Sequence, residues 1–308
     1  MKYLQLIRLP NLFLLALMQL TFRYGFLAQQ DIPLALADWQ YLLLVLATVL
    51  IAAAGYAIND IFDQDSDAIN KPDRAIVGKF ITEGRAYNIY VGLNITGVAI
   101  GFYLSNVILR PSFAVVFILI AALLYFYATN LKQTPLLGNL VVAALLALSV
   151  LIIGIFDLYP ATYEANQKEM GLFFKILLDY AFFAFFINLI REIAKDAEDA
   201  NGDYNAGIKT LPILIGAGRT AKLIFVLLLI AVVCIGFYLN NHLMQNDLYY
   251  ATIYGLVVVI APLLYLSVKS WHAKTTADFQ HLSSVLKWII FFGILSIAVI
   301  TYNIQMNA

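Results

Sequence analysis

The chain is poor in charge. Only 12% of its 308 residues are Asp, Glu, Lys or Arg, whereas 62% are hydrophobic. No soluble domain needs that much apolar surface, and a mean hydropathy of +0.83 indicates a polytopic membrane protein. Neither sign of charge dominates: 19 basic and 19 acidic residues give a formal net charge of zero, which argues against nucleic acid as a partner. Cysteine is almost absent. Cys234 stands alone inside an apolar run, so a disulfide within the chain is excluded and a core thiol is expected. The three histidines, His242, His272 and His281, show no metal-ligand spacing and are assigned to loops. Lys2 and Arg8 precede the first apolar stretch without a small-residue cleavage site. A first transmembrane helix is therefore expected there, not a removed signal peptide.

What the chain has in abundance is long apolar runs. A helix needs roughly 20 mostly apolar residues to cross the hydrocarbon core. Nine segments qualify, near 10–28, 40–62, 86–108, 112–130, 136–156, 172–192, 219–239, 248–268 and 285–304. The predicted fold is all-α: nine transmembrane helices around a central cavity, in one domain covering 1–308. Pro111, Pro135 and Pro262 are placed at or near span ends, where proline is tolerated. Fifteen of the 19 Lys and Arg residues fall in the N-terminus and in the loops after even-numbered spans, Lys287 being counted with the last of these. Arg110, Lys168 and Lys175 lie on the other side. This bias predicts a cytoplasmic N-terminus in a cell membrane.

Two acidic patterns stand where apolar runs end. The first is Asn59-Asp60-Ile61-Phe62-Asp63-Gln64-Asp65-Ser66-Asp67; the second is Lys195-Asp196-Ala197-Glu198-Asp199-Ala200-Asn201-Gly202-Asp203. Asp60, Asp63 and Asp67 fall at i, i+3 and i+7, as do Asp196, Asp199 and Asp203. On a helix each trio lies along one face. A solvated acidic loop is the bland alternative. Against it, the apolar runs continue straight into both motifs, placing carboxylates on last helical turns where the dipole disfavours anions. Stacked carboxylates call for a cation, and a hard divalent ion such as Mg²⁺, shared with a substrate's phosphates, is the usual one. Lys71, Arg74 and Lys79 follow the first motif and Lys209 the second, supplying cations for phosphate oxygens. Both motifs follow even-numbered spans, so the predicted site faces the cytoplasm.

Two further charges stand apart. Lys132 is the sole charge in a short loop, either an ordinary positive-inside anchor or a third phosphate contact on the same face. Arg23 falls within a span, which makes it a functional suspect unless it is paired structurally. No span is obviously broken by paired Gly or Pro, and the carboxylates gather at one face. Both features count against an ion-coupled transporter, the remote alternative.

These residues resemble the UbiA superfamily of intramembrane prenyltransferases, over essentially the whole chain. The first family motif, N-D-x-x-D-x-x-x-D, is complete at Asn59, Asp60, Asp63 and Asp67, and Asn70-Lys71-Pro72-Asp73-Arg74 extends it. The chain departs from the pattern at Ala75-Ile76-Val77, where many relatives carry a proline after the arginine. The second motif, Arg191-Glu192 through Asp203 and on to Gly207-Ile208-Lys209-Thr210-Leu211-Pro212, looks most like the branch that transfers a geranylgeranyl group to geranylgeranylglyceryl phosphate in ether-lipid biosynthesis. Aromatic acceptors such as 4-hydroxybenzoate or a naphthoate, used in quinone biosynthesis, are the alternative.

The resemblance implies a prenyl diphosphate donor with its chain in an apolar cavity and no protein partner. It implies one Mg²⁺ at Asp60, Asp63 and Asp67 and a second at Asp196, Asp199 and Asp203. Asn59 would contact phosphate or orient a ligand, and Arg74, Lys79, Lys132 and Lys209 would neutralise the diphosphate. Tyr56, Phe62, Tyr125 and Phe186 are candidates to face an allylic cation.

Overall fold

In the computed structural model, the described residues are 2–64, 67, 75–205 and 207–307. Among them, nine helices are long and apolar enough to cross a membrane: α1 (Leu9–Gln29), α2 (Asp38–Phe62), α3 (Glu83–Val107), α4 (Pro111–Thr129), α5 (Leu137–Ala161), α6 (Gln167–Asn205), α7 (Ala217–Asn246), α8 (Tyr249–Trp271) and α9 (Thr276–Asn307). All nine expected spans are present. The all-helical reading holds: the described residues include no strand beyond one isolated bridge, Val77 to Ile81.

The helices pack in chain order and close on themselves. Helix α2 packs on α1, α3 and α4, α5 on α6, α6 on α7, α7 on α8 and α8 on α9; α9 returns to both α1 and α6. Helices carrying little charge have no solvent-driven reason to choose one face, so close packing decides. On α3, a Cβ at Gly97 would stand 2.7 Å from Ile51 Cγ1 of α2. That glycine lets the two backbones approach, and a larger residue would force them apart. Buried side chains form one cluster from α6 to α9 and another joining α1 to α6. A small third cluster, including Ile58, Ile61, Ile76, Val77 and Ile81, lies beneath the first acidic motif and fastens the 75–81 segment to the end of α2.

Three local differences from the sequence reading have physical causes. Helix α6 runs 39 residues, so Arg191 and Lys195 are helical and not in a loop, and the second acidic motif is helical as expected; helical hydrogen bonding continues past the point where hydrophobicity stops. Lys287 is helical too, inside α9, and His281, also on α9, meets the Tyr265 hydroxyl at 2.9 Å. Pro262 sits mid-span in α8, immediately after the π-helical turn Gly255–Ile260. The wider turn relieves the clash a proline ring makes with the carbonyl four residues back.

Candidate active site

The first motif is the end of α2. Asn59 and Asp60 lie in its last turn, and the Asp63 amide donates to the Asn59 carbonyl at 2.9 Å. The Asp67 amide donates to the Asp63 carbonyl at 2.8 Å, so the same i to i+4 pattern extends across the motif and keeps Asp60, Asp63 and Asp67 on one side. Cations come to them from distant parts of the chain. Arg8 donates through its Nη2 to Asp60 Oδ1 at 2.9 Å, with its guanidinium 5.0 Å from the Tyr56 ring centroid. Lys132 Nζ and Asn59 Nδ2 both donate to Asp63 Oδ2.

The second motif remains inside α6. Asp196 Oδ2 accepts a 2.8 Å hydrogen bond from Asn139 Nδ2 of α5. One turn earlier, the buried Glu192 takes Lys195 at 2.8 Å and Arg191 at 3.1 Å. Asp203 is buried although it lies near the helix end. The two motifs share one space. Lys132 acts electrostatically on Asp60 and Asp67 of the first and on Asp196 and Asp203 of the second, and Asp203 also feels Asp63. Tyr127, at the end of α4, lies near enough to Glu192, Asp196 and Asp63 for their charges to act on it.

The electrostatics follow from this crowding. Burial, then the charges of Asp63 and Asp60, push the Asp67 carboxyl up to about 6, against the pull of Lys132 and Arg8. Burial works to lower the Arg8 pKa, but Asp60, Tyr56 and Asp63 outweigh it and raise it, so the guanidinium is firmly charged. Among the described residues, the aspartates of the two motifs outnumber Arg8 and Lys132, the two cations that pair with the first of them.

The oxygen-only donor set suits a hard divalent ion. Asp63 already has an ammonium, Lys132, standing against it. Among the described residues, no three His, Cys, Asp or Glu side chains close around one point as a finished cage would.

Of the other residues singled out from sequence, Arg74 lies outside the described residues. Lys79 and Lys209 occupy exposed positions after their motifs. Phe62 and Tyr125 meet edge to face at 6.4 Å, Tyr56 lies under Arg8, and Phe186 stacks on Phe182. Arg23 belongs elsewhere: it is buried against Asp157 and donates to the Leu36 carbonyl at 2.8 Å, about 22 Å of helix rise from Arg8. Arg8, Asn139 and Tyr127 were missed. Arg8 had been counted only toward orientation, and Asn139 is a lone amide in an apolar run, a signal in itself.

Comparison with known proteins agrees with this geometry. The model of the UbiA prenyltransferase family matches residues 17–303. A digeranylgeranylglyceryl phosphate synthase of Saccharolobus solfataricus is 37% identical over 233 residues, 74% of this chain and 75% of the relative. That of Methanobrevibacter smithii is 32% identical over 279 residues, 89% of each. Among solved structures, a digeranylgeranylglyceryl phosphate synthase superposes with a TM-score of 0.63 at 21% identity, covering 97% of both chains. A UbiA homologue from Archaeoglobus fulgidus bound to GPP and Mg²⁺ gives 0.61 at 18% identity, covering 96% of this chain and 99% of that one. Nine apolar helices, two acidic motifs meeting at one lysine and these relatives lead to one conclusion: the chain belongs to the UbiA prenyltransferase family and is a multi-pass membrane prenyltransferase.

Proposed function

We propose that this enzyme transfers a geranylgeranyl group from its diphosphate to geranylgeranylglyceryl phosphate, forming the second ether bond of a diether lipid. The observation that carries the reading of the site is the convergence of both aspartate sets on Lys132. The acceptor is drawn from the curated relatives, which are named for that synthesis. We read 1–308 as one domain with a cytoplasmic N-terminus, so both motifs open toward the compartment that holds soluble Mg²⁺.

Asp60, Asp63 and Asp67 would hold one Mg²⁺ and Asp196, Asp199 and Asp203 a second. When bound, Mg²⁺ neutralises charge on the departing diphosphate. The protein's own groups do the rest. Asn139 fixes the Asp196 carboxylate, and Asn59 shares the Asp63 oxygen with Lys132. Lys132 then exchanges its carboxylate partner for a phosphate oxygen, and Arg8 holds Asp60 in place. Arg74, Lys79 and Lys209 supply further cations at the mouth. Such contacts count for more in a poorly hydrated site than in water. Loss of diphosphate leaves an allylic cation, for which Tyr56, Phe62, Tyr125 and Phe186 are the candidate aromatic faces. The acceptor hydroxyl attacks C1 and its proton is lost.

Product analysis tests this reading. Purified protein with Mg²⁺ and geranylgeranyl diphosphate should convert geranylgeranylglyceryl phosphate to the diether, and chelation should stop it. Prenylated 4-hydroxybenzoate or naphthoate as the sole product would overturn the acceptor and keep the enzyme class.

A further inference from the structure

Apart from the aspartates, the bundle contains an apolar cleft lined by α1, α5, α6, α7, α8 and α9. Three of the lining residues lead by helical register to a cationic cluster. Ile187 on α6 is one turn from Arg191, Ile290 on α9 is three residues from Lys287, and Met18 on α1 is seven from Asn11. Residues at these spacings share a helix face, so Arg191, Lys287 and Asn11 cap the cleft on the side of the acidic motifs. Helix α9 packs on both of the others. Arg191 and Lys287 are near enough for their charges to interact.

The cluster is short of anions. Arg191 and Lys195 share the single carboxylate of Glu192, and Lys287 Nζ donates only to the amide oxygen of Asn11, at 2.9 Å. Lys195 also acts on Asp196, so the surplus positive charge rests on Arg191 and Lys287, whose partners among the described residues are the Glu192 carboxylate and the Asn11 amide. Among the described residues the Arg191 Nε is buried with no hydrogen-bond partner, as is the Arg23 Nε, a state that calls for a water or an ion to relieve it. A phosphate monoester carries about −1.5 to −2 charges with several strong acceptor oxygens. It matches both the surplus charge and the vacant donor.

We propose that Arg191 and Lys287 form the subsite for the acceptor's phosphate, with Asn11 positioning Lys287 and the acceptor's chain running down the apolar cleft. This rests on the acceptor reading given above. Arg191 precedes Asp196 by five residues, roughly 7.5 Å of helix rise. A phosphate held there would place the acceptor's head beside the second acidic motif. The same spacing separates the acceptor's phosphate from the donor's, so two anionic groups are read by two sets of residues.

The test uses the full-length protein with Mg²⁺ and geranylgeranyl diphosphate, comparing geranylgeranylglyceryl phosphate with its phosphate-free alcohol. Wild type should prefer the phosphate form. Arg191→Gln and Lys287→Met should each raise the KM for that form by about tenfold or more, equivalent to one charge-assisted hydrogen bond, and should lose the preference over the alcohol. Lys287→Arg should recover most of it. Donor binding in the presence of Mg²⁺, which also reports folding, should stay within about twofold. Retention of the phosphate preference by both variants would overturn the subsite, and so would a matching loss of donor affinity, which would assign these cations to the diphosphate. If wild type makes no diether at all, the acceptor reading fails before the variants are compared.

Discussion

The bundle holds buried charge at both ends of α1, and the two ends are built differently. At one, Arg23 pairs with Asp157, whose other oxygen accepts the Leu36 amide at 3.0 Å, while the Ala35 amide reaches the Asp157 carbonyl at 2.9 Å. One cation meets one buried anion, and the arrangement ties the α1–α2 connection to the end of α5. At the other end, Arg8 pairs with Asp60 and Lys132 with Asp63, and the charge of Lys132 also reaches Asp67, Asp196 and Asp203. In the first cluster the buried charges are matched one to one, with the largely exposed Asp38 at its edge, 3.4 Å from Arg23. The second is short of positive charge and admits more. Burial alone therefore does not mark a functional charge; the imbalance does.

The largest effect should come from removing one carboxylate at the unbalanced end. Asp63→Asn or Asp199→Asn should lower turnover at least about a hundredfold, comparable to losing one preorganised charge-stabilising group, with little change in thermal stability in detergent. Near-normal turnover in either variant would remove that aspartate from the site. The balanced end should respond in the opposite manner. Arg23→Met leaves Asp157 buried without its partner and should cost about 3–5 kcal/mol of stability, while protein that remains folded turns over normally. A thermal melt alongside specific activity separates the two, and lost activity at full stability would make Arg23 functional after all.

A smaller effect distinguishes Lys132 from the metals it stands in for. Lys132→Ala should weaken donor binding by about tenfold, the scale of one charge-assisted hydrogen bond. Without donor, the same variant should bind Mg²⁺ more tightly, because an internal competitor has gone. Titration calorimetry with Mg²⁺ alone checks the sign; weaker binding would mean Lys132 orders the aspartates and does not compete for them. The smallest effect concerns pH. The Asp67 carboxyl, raised to about 6 by burial and its neighbouring carboxylates, is ionised above that pH and gains a proton below it. Mg²⁺ must then displace the proton, so affinity should fall by up to about tenfold per pH unit below 6. Asp67→Asn should flatten that part of the profile, and a profile unchanged by the substitution would exclude Asp67 as its source.

Much of this contrast was legible in the chain before folding. The i, i+3, i+7 spacing of Asp60, Asp63 and Asp67 already implies one helical face, and the hydrophobic runs mark all nine spans. Lys132 was noticed because a lone charge in a short loop is conspicuous. The partners that balance or fail to balance each cluster were not legible, because pairing across 52 residues for Arg8 and Asp60, or 134 for Arg23 and Asp157, is set by how the helices close into a ring. Hydrophobicity also misplaced the end of α6. It reports where the apolar stretch stops, whereas the helix continues for as long as its backbone bonds do. For the same reason Arg191 and Lys287 were assigned to loops, which concealed their common position above the cleft.

The length of α6 has a consequence for how the products part. Thirty-nine residues span about 58 Å at about 1.5 Å per residue, nearly twice the roughly 30 Å of hydrocarbon. The overhang carries the charged stretch from Arg191 to Asp203 beyond the apolar part of the helix that lines the cleft. A freed diphosphate is then already at the water's edge and can diffuse away in three dimensions. The prenylated product, with an added chain, partitions into the leaflet and can leave only sideways. The two products depart along perpendicular directions, and their separation follows from helix length alone.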